Sequence, residues 1–116
     1  MSTTDRTHSK RLIEATCPDC RGPLTELRLD SVYEYRCLVG HRFSTRTLLA
    51  AHSEAQEVAL WAAVVALEEA ANIANAVAPQ FSDDVAARLR AQGQKRLKQG
   101  GAIRGLLDNL EPFQPD

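Results

Sequence analysis

Residues 17–41 read CPDCRGPLTELRLDSVYEYRCLVGH and contain all three cysteines of the chain. The spacing is C-x2-C, then sixteen residues, then C-x3-H, which places two close pairs of metal-ligating residues in one short segment. Three thiolates and one imidazole complete a tetrahedral donor set, and structural zinc sites have this composition with no position left for water. We therefore predict one structural Zn²⁺ held by Cys17, Cys20, Cys37 and His41. Iron in the same site or a redox thiol is the alternative.

The residues between the two ligand pairs predict a β-hairpin, because residues 24–30 and 32–37 alternate in polarity and meet at Asp30-Ser31. Residues 11–16 predict a further strand that leads into the first pair. The core of such a hairpin is too small to be stable alone, so metal binding is expected to supply much of its folding energy. We predict a zinc-ribbon-like module over residues 11–43, preceded by a disordered tail at residues 1–10.

Residues 44–110 predict an antiparallel, Ala-rich helical hairpin, because the apolar period changes there from two to that of an α-helix. Ser44 is the predicted N-cap of a short helix near residues 45–51. Ser53 and Gln56 have the spacing of a capping box, which predicts that a second, long helix begins there. The alternative is one continuous helix through His52.

Pro79 is predicted to end the first helical arm, and Ser82 to precede the second. Gly100-Gly101 either separates two helices or permits close backbone approach within one bent helix. Residues 111–116 contain two prolines and are predicted to be an irregular tail. The fold class predicted for the whole chain is therefore α+β.

The two helical arms carry opposite charge, which favours an antiparallel arrangement. Residues 47–81 contain acids and no Lys or Arg, whereas residues 88–104 contain six basic residues and no acid. Exposed ion pairs contribute only about 0–1 kcal/mol each, so they are expected to set register more than stability. Folding back near residue 80 predicts Glu57 opposite Arg104, and Glu68 and Glu69 near Arg90 and Lys95.

Composition limits the class of protein. The chain has 116 residues, 44% of them hydrophobic and 5% aromatic, and a net charge of −1. A near-neutral chain is not an electrostatic nucleic-acid binder as a whole. No apolar run approaches the roughly 20 residues of a membrane span, and no secretory signal core is present. We expect a cytoplasmic protein that does not enter membranes and has no small-molecule substrate.

Four segments together resemble a known family: CPDCRGPLTEL (17–27), YRCLVGHRFS (35–44), EVALWAAVVALEE (57–69) and IRGLL (103–107). They are similar to the zinc-binding C-terminal extension of bacterial CheB-type chemotaxis methylesterase proteins, and the resemblance covers residues 15–107. The 116 residues leave no room for the methylesterase domain or its G-x-S-x-G nucleophile turn. The resemblance therefore implies an accessory signalling module made as a separate chain, without esterase activity.

Three features outside the ligand set invite a functional interpretation. Residues 58–67 are apolar around the whole helix, which indicates contact with a second copy or with a partner helix. Trp61 within them is expected in the core, with an exposed partner anchor as the alternative. His52 is expected in solvent or near a helix cap, with an approach to the metal as the alternative. The basic residues 88–104 are expected to form a solvated face, with phosphate contacts as the alternative.

The leading hypothesis is a non-catalytic, zinc-binding module for protein interaction or regulation. The second is a zinc ribbon that binds nucleic acid. We predict no enzyme, because the sequence has no recognisable activated nucleophile or open metal position, and the adjacent Glu68 and Glu69 do not face each other on a helix.

Overall fold

In the computed structural model, which describes residues 7–116, the chain has the predicted α+β fold. A four-stranded antiparallel sheet is followed by two long helices joined by a short 3-10 turn. The described chain divides into two compact units, one reaching Ala55 and including Pro112–Asp116, the other spanning Gln56–Glu111. The elements are β1 (Thr7–Thr16), β2 (Pro23–Leu29), β3 (Val32–Arg36), β4 (Arg42–Ser44), α1 (Thr45–Val77), the turn Ala78–Gln80, and α2 (Asp83–Asn109).

The sheet is a meander in which strand order follows chain order, β1-β2-β3-β4. The predicted strands at residues 11–16, 24–30 and 32–37 correspond to β1, β2 and β3. The short strand β4 is not predicted from the sequence, because three residues carry no readable alternation. Asp30, in the β2–β3 turn, has a φ of 57°, a left-handed conformation that Asp tolerates better than most residues.

Strand β1 starts at Thr7, so the prediction of a disordered tail is wrong for residues 7–10; residues 1–6 lie outside the described part of the chain. Lys10 is the register partner of Leu27, and Thr7 that of Leu29. An edge strand needs backbone partners more than apolar side chains, so a polar sequence can form one. The polar residues 7–10 have no alternation of polarity that could predict this part of the strand.

One row of side chains crosses three strands. Arg11, Glu26 and Tyr35 are successive register partners. The Arg11 Nε and the Tyr35 hydroxyl each donate to the Glu26 carboxylate at 2.9 Å. These bonds lower the pKa of Glu26 below its ordinary value of 4.5, Arg11 contributing most. The row therefore ties β1 to the β2–β3 hairpin.

Helix α1 is continuous from Thr45 to Val77, so the predicted break before residue 54 is wrong and the alternative is confirmed. Ser44 is the N-cap, as predicted: its Oγ accepts from the Thr47 N–H at 3.1 Å, and the Thr47 Oγ1 accepts from the Ser44 N–H at 2.8 Å. The capping box is thus formed by these two residues. Ser53 and Gln56 lie inside a helix, where backbone amides already bond to carbonyls four residues earlier.

Helix α2 follows Ser82 as predicted and runs without a break to Asn109, so Gly100-Gly101 does not separate two helices. Within the unit Gln56–Glu111, a Cβ on Gly100 would lie 3.6 Å from the Leu67 Cβ. That distance is ordinary van der Waals contact, so the packing at Gly100 does not require the close backbone approach of the second prediction. Gly101 has open space around it.

The predicted charge register is wrong. Arg104 pairs with Glu68 at 2.8 Å and not with Glu57. The connection between the helices, residues 78–82, is centred on residue 80 as predicted, so the mismatch lies in which side chains of the two helices meet and not in the position of the turn. Among residues 7–116, no helix is long and apolar enough to cross a membrane.

Candidate metal centre

The first ligand pair lies on a loop between β1 and β2 that backbone hydrogen bonds close. The Cys17 N–H donates to the Gly22 carbonyl at 2.6 Å, and the Cys17 carbonyl accepts from the Arg21 N–H at 2.8 Å. Arg21 has a φ of 65°, in the left-handed region. This reversal returns the chain toward β2 with Cys17 and Cys20 on the same side of the loop.

The second ligand pair lies on a similar loop between β3 and β4. The Cys37 N–H donates to the His41 carbonyl at 3.2 Å, and the Cys37 carbonyl accepts from the Gly40 N–H at 3.2 Å. Gly40 has a φ of 111°, in the region of backbone conformation that favours glycine. Each loop is therefore closed by two backbone hydrogen bonds of its first ligand residue, and the second loop is one residue shorter than the first.

The meander brings the two loops together. The ligand atoms of Cys17, Cys20, Cys37 and His41 all lie within 4.8 Å of one another, and this cluster can hold a metal ion. The Cys20 and Cys37 sulfurs are 3.6 Å apart. The Nδ1 of His41 lies 3.6 Å from the Cys17 sulfur and 3.3 Å from the Cys37 sulfur, so Nδ1 is the nitrogen that faces the thiols. The four residues chosen from the sequence are thus the four that converge.

The three cysteines are free of disulfides, and two of them are buried. Cys17 has no exposed surface and Cys37 is 7% exposed. They form one apolar core with Leu24, against which half-buried side chains pack from the strands, from the first ligand loop and from the start of α1. These are Ile13, Cys20, Phe43 and Leu48. The cluster therefore stands where a larger protein would have its hydrophobic core.

Two thiols have opposite pKa shifts. Burial raises the pKa of Cys37, but hydrogen bonds to its sulfur outweigh burial and lower the pKa from 9.0 to about 6. The donors include the backbone N–H of His41, at 3.3 Å, and the Cys20 thiol. For Cys20, a hydrogen bond from the Gly22 backbone lowers the pKa. Burial and thiol hydrogen bonds to Cys37 and Cys17 raise it, and together they outweigh the Gly22 bond, so the net pKa is raised. Of these two thiols, Cys37 is therefore the more acidic.

Two residues outside the ligand set have clear positions. His52 is exposed on α1 and does not belong to the cluster, as predicted. Trp61 is 42% exposed, so its predicted core position is wrong. The buried side of this helix is formed by Val64 and Ala71, whose small size suits close helix packing and leaves no space for an indole.

Sequence reasoning missed the left-handed residue of the first loop. The segment Arg21-Gly22-Pro23 signals a turn, but glycine is the residue normally expected at positive φ. Here the reversal falls on Arg21, and Gly22 follows it. A Cβ on Gly22 would lie 3.5 Å from the Cys20 sulfur, so the glycine keeps space beside the ligands.

No protein family, curated protein or solved structure gives a match to this chain.

Proposed function

We propose that the protein is a non-catalytic module that holds one structural Zn²⁺ and acts by binding other proteins. The observation that carries the proposal is the convergence of three sulfurs and one imidazole nitrogen within 4.8 Å. Such a set provides every ligand that structural zinc needs.

The spacing of the ligand atoms supports zinc. Zn–S bonds of about 2.3 Å in a tetrahedron separate two sulfurs by roughly 3.8 Å, and Zn–N bonds of about 2.0–2.1 Å give a sulfur–nitrogen separation of roughly 3.6 Å. The corresponding distances here are 3.6 Å between Cys20 and Cys37, and 3.6 and 3.3 Å between the cysteine sulfurs and His41 Nδ1. These three separations lie within a few tenths of an ångström of the zinc values, and since all four ligand atoms lie within 4.8 Å of one another, a bound zinc requires the loops to close by about 1 Å at most.

The donor set also supports a structural role. Catalytic zinc commonly has three protein ligands and a bound water, whereas this cluster supplies four ligands. A buried metal in the core would stabilise a sheet whose only fully buried large side chain is Leu24 among the residues described. Its expected contribution is to folding.

The interaction half of the proposal rests on an exposed apolar stripe on α1, within the unit Gln56–Glu111. Val58, Trp61 and Val65 recur at i, i+3 and i+7, and are 63%, 42% and 49% exposed. Residues at this spacing lie on one helix face, and large exposed apolar side chains in a row are typical of interaction surfaces. The proposed occupant is a second copy or a partner helix. By the resemblance of the sequence to the CheB extension, a chemotaxis-type signalling protein in the cytoplasm is the partner class.

Two measurements test this function. Elemental analysis of the purified protein should give one zinc per chain, and a chelator should abolish cooperative unfolding of the sheet. Sedimentation and chemical cross-linking should show self-association or partner capture that Val58→Gln with Val65→Gln removes. The control is Ile73→Gln, on the same helix and 60% exposed. A strictly monomeric protein that captures no partner, or equal effects of both variants, contradicts the interaction role.

A second candidate, nucleic-acid binding, is favoured by the basic residues of α2. Among the described residues, Arg104 is the only one of the six that makes an ion pair. The other five cations do not pair across the hairpin, so they remain available for phosphates. These are Arg88, Arg90, Lys95, Arg96 and Lys98. Binding of labelled DNA or RNA that falls steeply with salt, and is lost in Arg88→Gln with Lys95→Gln, would support this candidate against the first.

A further inference from the structure

An open apolar pocket lies in the sheet-containing unit, formed by the strands and the first turns of α1. It has a volume of about 210 Å³. Its lining is apolar except for one imidazole, and every lining residue belongs to the same compact unit. The lining residues are Ala15, Leu24, Leu48, Leu49, His52 and Phe113.

One of these residues comes from a distant part of the sequence. Phe113 belongs to the segment Pro112–Asp116, which has no regular secondary structure and is part of the sheet-containing unit. Its ring lines the pocket and is 60% exposed. A second contact holds the same segment: the Asp116 carboxylate forms an ion pair with the Arg46 guanidinium at 2.5 Å.

The two contacts form one recognition pattern. Arg46 and Leu49 are three residues apart on α1 and therefore lie on the same helix face. Phe113 and Asp116 are also three residues apart, and three extended residues span roughly 10 Å. The segment thus places an aromatic ring against the pocket and a carboxylate beside the neighbouring cation.

We infer that this pocket is a peptide-docking site for segments with an aromatic residue three positions before an acid, and that Pro112–Asp116 is its internal occupant. The internal contacts are easily exchanged, because Phe113 is 60% exposed and the Arg46 and Asp116 side chains are 64% and 79% exposed. A partner peptide of the same pattern replaces the Phe113 contact with its own aromatic ring and the Asp116 ion pair with its own carboxylate. The segment therefore regulates access to the site.

Peptide titration of the full-length protein tests this site. The probe is the peptide EPFQPD, which has the sequence of residues 111–116. Methyl and imidazole NMR signals of Leu48, Leu49 and His52 should shift saturably in the Phe113→Ala protein. We expect the internal segment to occupy the site in about nine-tenths of the molecules, which would lower the apparent affinity of a competing peptide about tenfold. Affinity should therefore be about tenfold lower for the unmodified protein, and a peptide with alanine in place of phenylalanine should not bind.

A second variant tests the charged contact independently of Phe113. Asp116→Asn should raise the affinity for the peptide, because it loosens the internal segment and leaves Arg46 free. Asp108→Asn, an exposed acid on α2, is the matched control and should change nothing. Unchanged amide signals of the sheet confirm that each variant is folded.

Two outcomes overturn the inference. One is the absence of saturable shifts at millimolar peptide in both Phe113→Ala and Asp116→Asn. The other is a dimer of the unmodified protein that Phe113→Ala abolishes, since exchange of the segment between two copies would make it an intermolecular contact. Because the readout is local to this pocket, failure here leaves the zinc and apolar-stripe proposals intact.

Discussion

Gly93 of α2 lies against the backbone of Ala71 in α1: a Cβ on Gly93 would stand 3.2 Å from the Ala71 Cα. Real Cβ atoms rarely come so close to another carbon, and here the neighbouring atom belongs to a helix backbone, which cannot turn aside. The two helices of this unit therefore approach at a point where neither residue has a large side chain.

Gly93→Ala is expected to lower the free energy of unfolding by about 1 kcal/mol, because overpacking of roughly 1–3 kcal/mol exceeds the gain in helix propensity of about 1 kcal/mol. The control is Gly101→Ala on the same helix, where a Cβ meets nothing within 4 Å. That variant should stabilise the protein by about 0.5–1 kcal/mol. Urea denaturation measures both, and equal stabilisation by the two would contradict the close approach.

Arg21 and Gly40 occupy left-handed positions in the two ligand loops, with φ of 65° and 111°. Arg21→Gly should raise the melting temperature of the metal-loaded protein, because a non-glycine residue in this conformation costs about 1 kcal/mol or more. Gly40→Ala should lower the melting temperature, because it introduces a conformational cost of similar size. Thermal unfolding followed by circular dichroism checks the pair; a fall in both variants would mean that the Arg21 side chain contributes more than its backbone costs.

His41→Asn should weaken metal binding at least about a hundredfold, since loss of a direct ligand exceeds the 10–100-fold loss seen for groups that merely orient ligands. His52→Asn is the matched control, because this exposed histidine lies outside the cluster. Competition with a chromophoric chelator measures both affinities. Equal losses in the two variants would be inconsistent with the assigned ligand set.

Glu26→Gln should reduce the free energy of unfolding at neutral pH by about 1 kcal/mol, the usual contribution of such hydrogen bonds. The ion pair with Arg11 adds little to this value, because the Arg11 side chain is 71% exposed. The folded state lowers the pKa of Glu26 below 4.5, so its stabilisation is complete above that pH and disappears as the pH falls through the folded-state pKa. The difference between variant and parent should therefore shrink in acid. Denaturation across pH measures it, with Glu14→Gln, at an exposed position of β1, as the control.

Arg104→Gln should shift the fluorescence of Trp61, the only tryptophan, to longer wavelength. The guanidinium lies 5.3 Å from the centre of the Trp61 ring and also pairs with Glu68, so its removal exposes the ring to water. The expected cost in stability is about 1 kcal/mol or less. Arg88→Gln, which removes a cation without an ion pair in the described structure, should leave the emission unchanged.

The candidate metal-binding cluster and the fold class could be predicted because both depend on local signals. Cys17, Cys20, Cys37 and His41 are recognisable from spacing alone, and the change of period after residue 43 separates sheet from helix. The Ser44 cap could also be predicted, since serine is a preferred N-cap residue whose side-chain oxygen accepts from a free amide of the first helical turn.

The errors concern features that only tertiary packing decides. Residues 7–10 form a strand because β2 offers them backbone partners, which their polar sequence does not encode. Ser53 and Gln56 match a capping box but lie in mid-helix, because the pattern does not show whether an amide is already bonded. Trp61 lies outside the buried side of α1, which contains Val64 and Ala71, because an apolar run such as residues 58–67 does not show which side of the helix is covered.

The order of the strands has a kinetic consequence. Because β1-β2-β3-β4 follows the chain, each strand pairs with its neighbour in sequence, and such local contacts form quickly. The four ligands lie within the segment from Cys17 to His41, and backbone bonds close both of their loops. Chain search is therefore brief for this sheet, and the four candidate ligand side chains should meet early in folding.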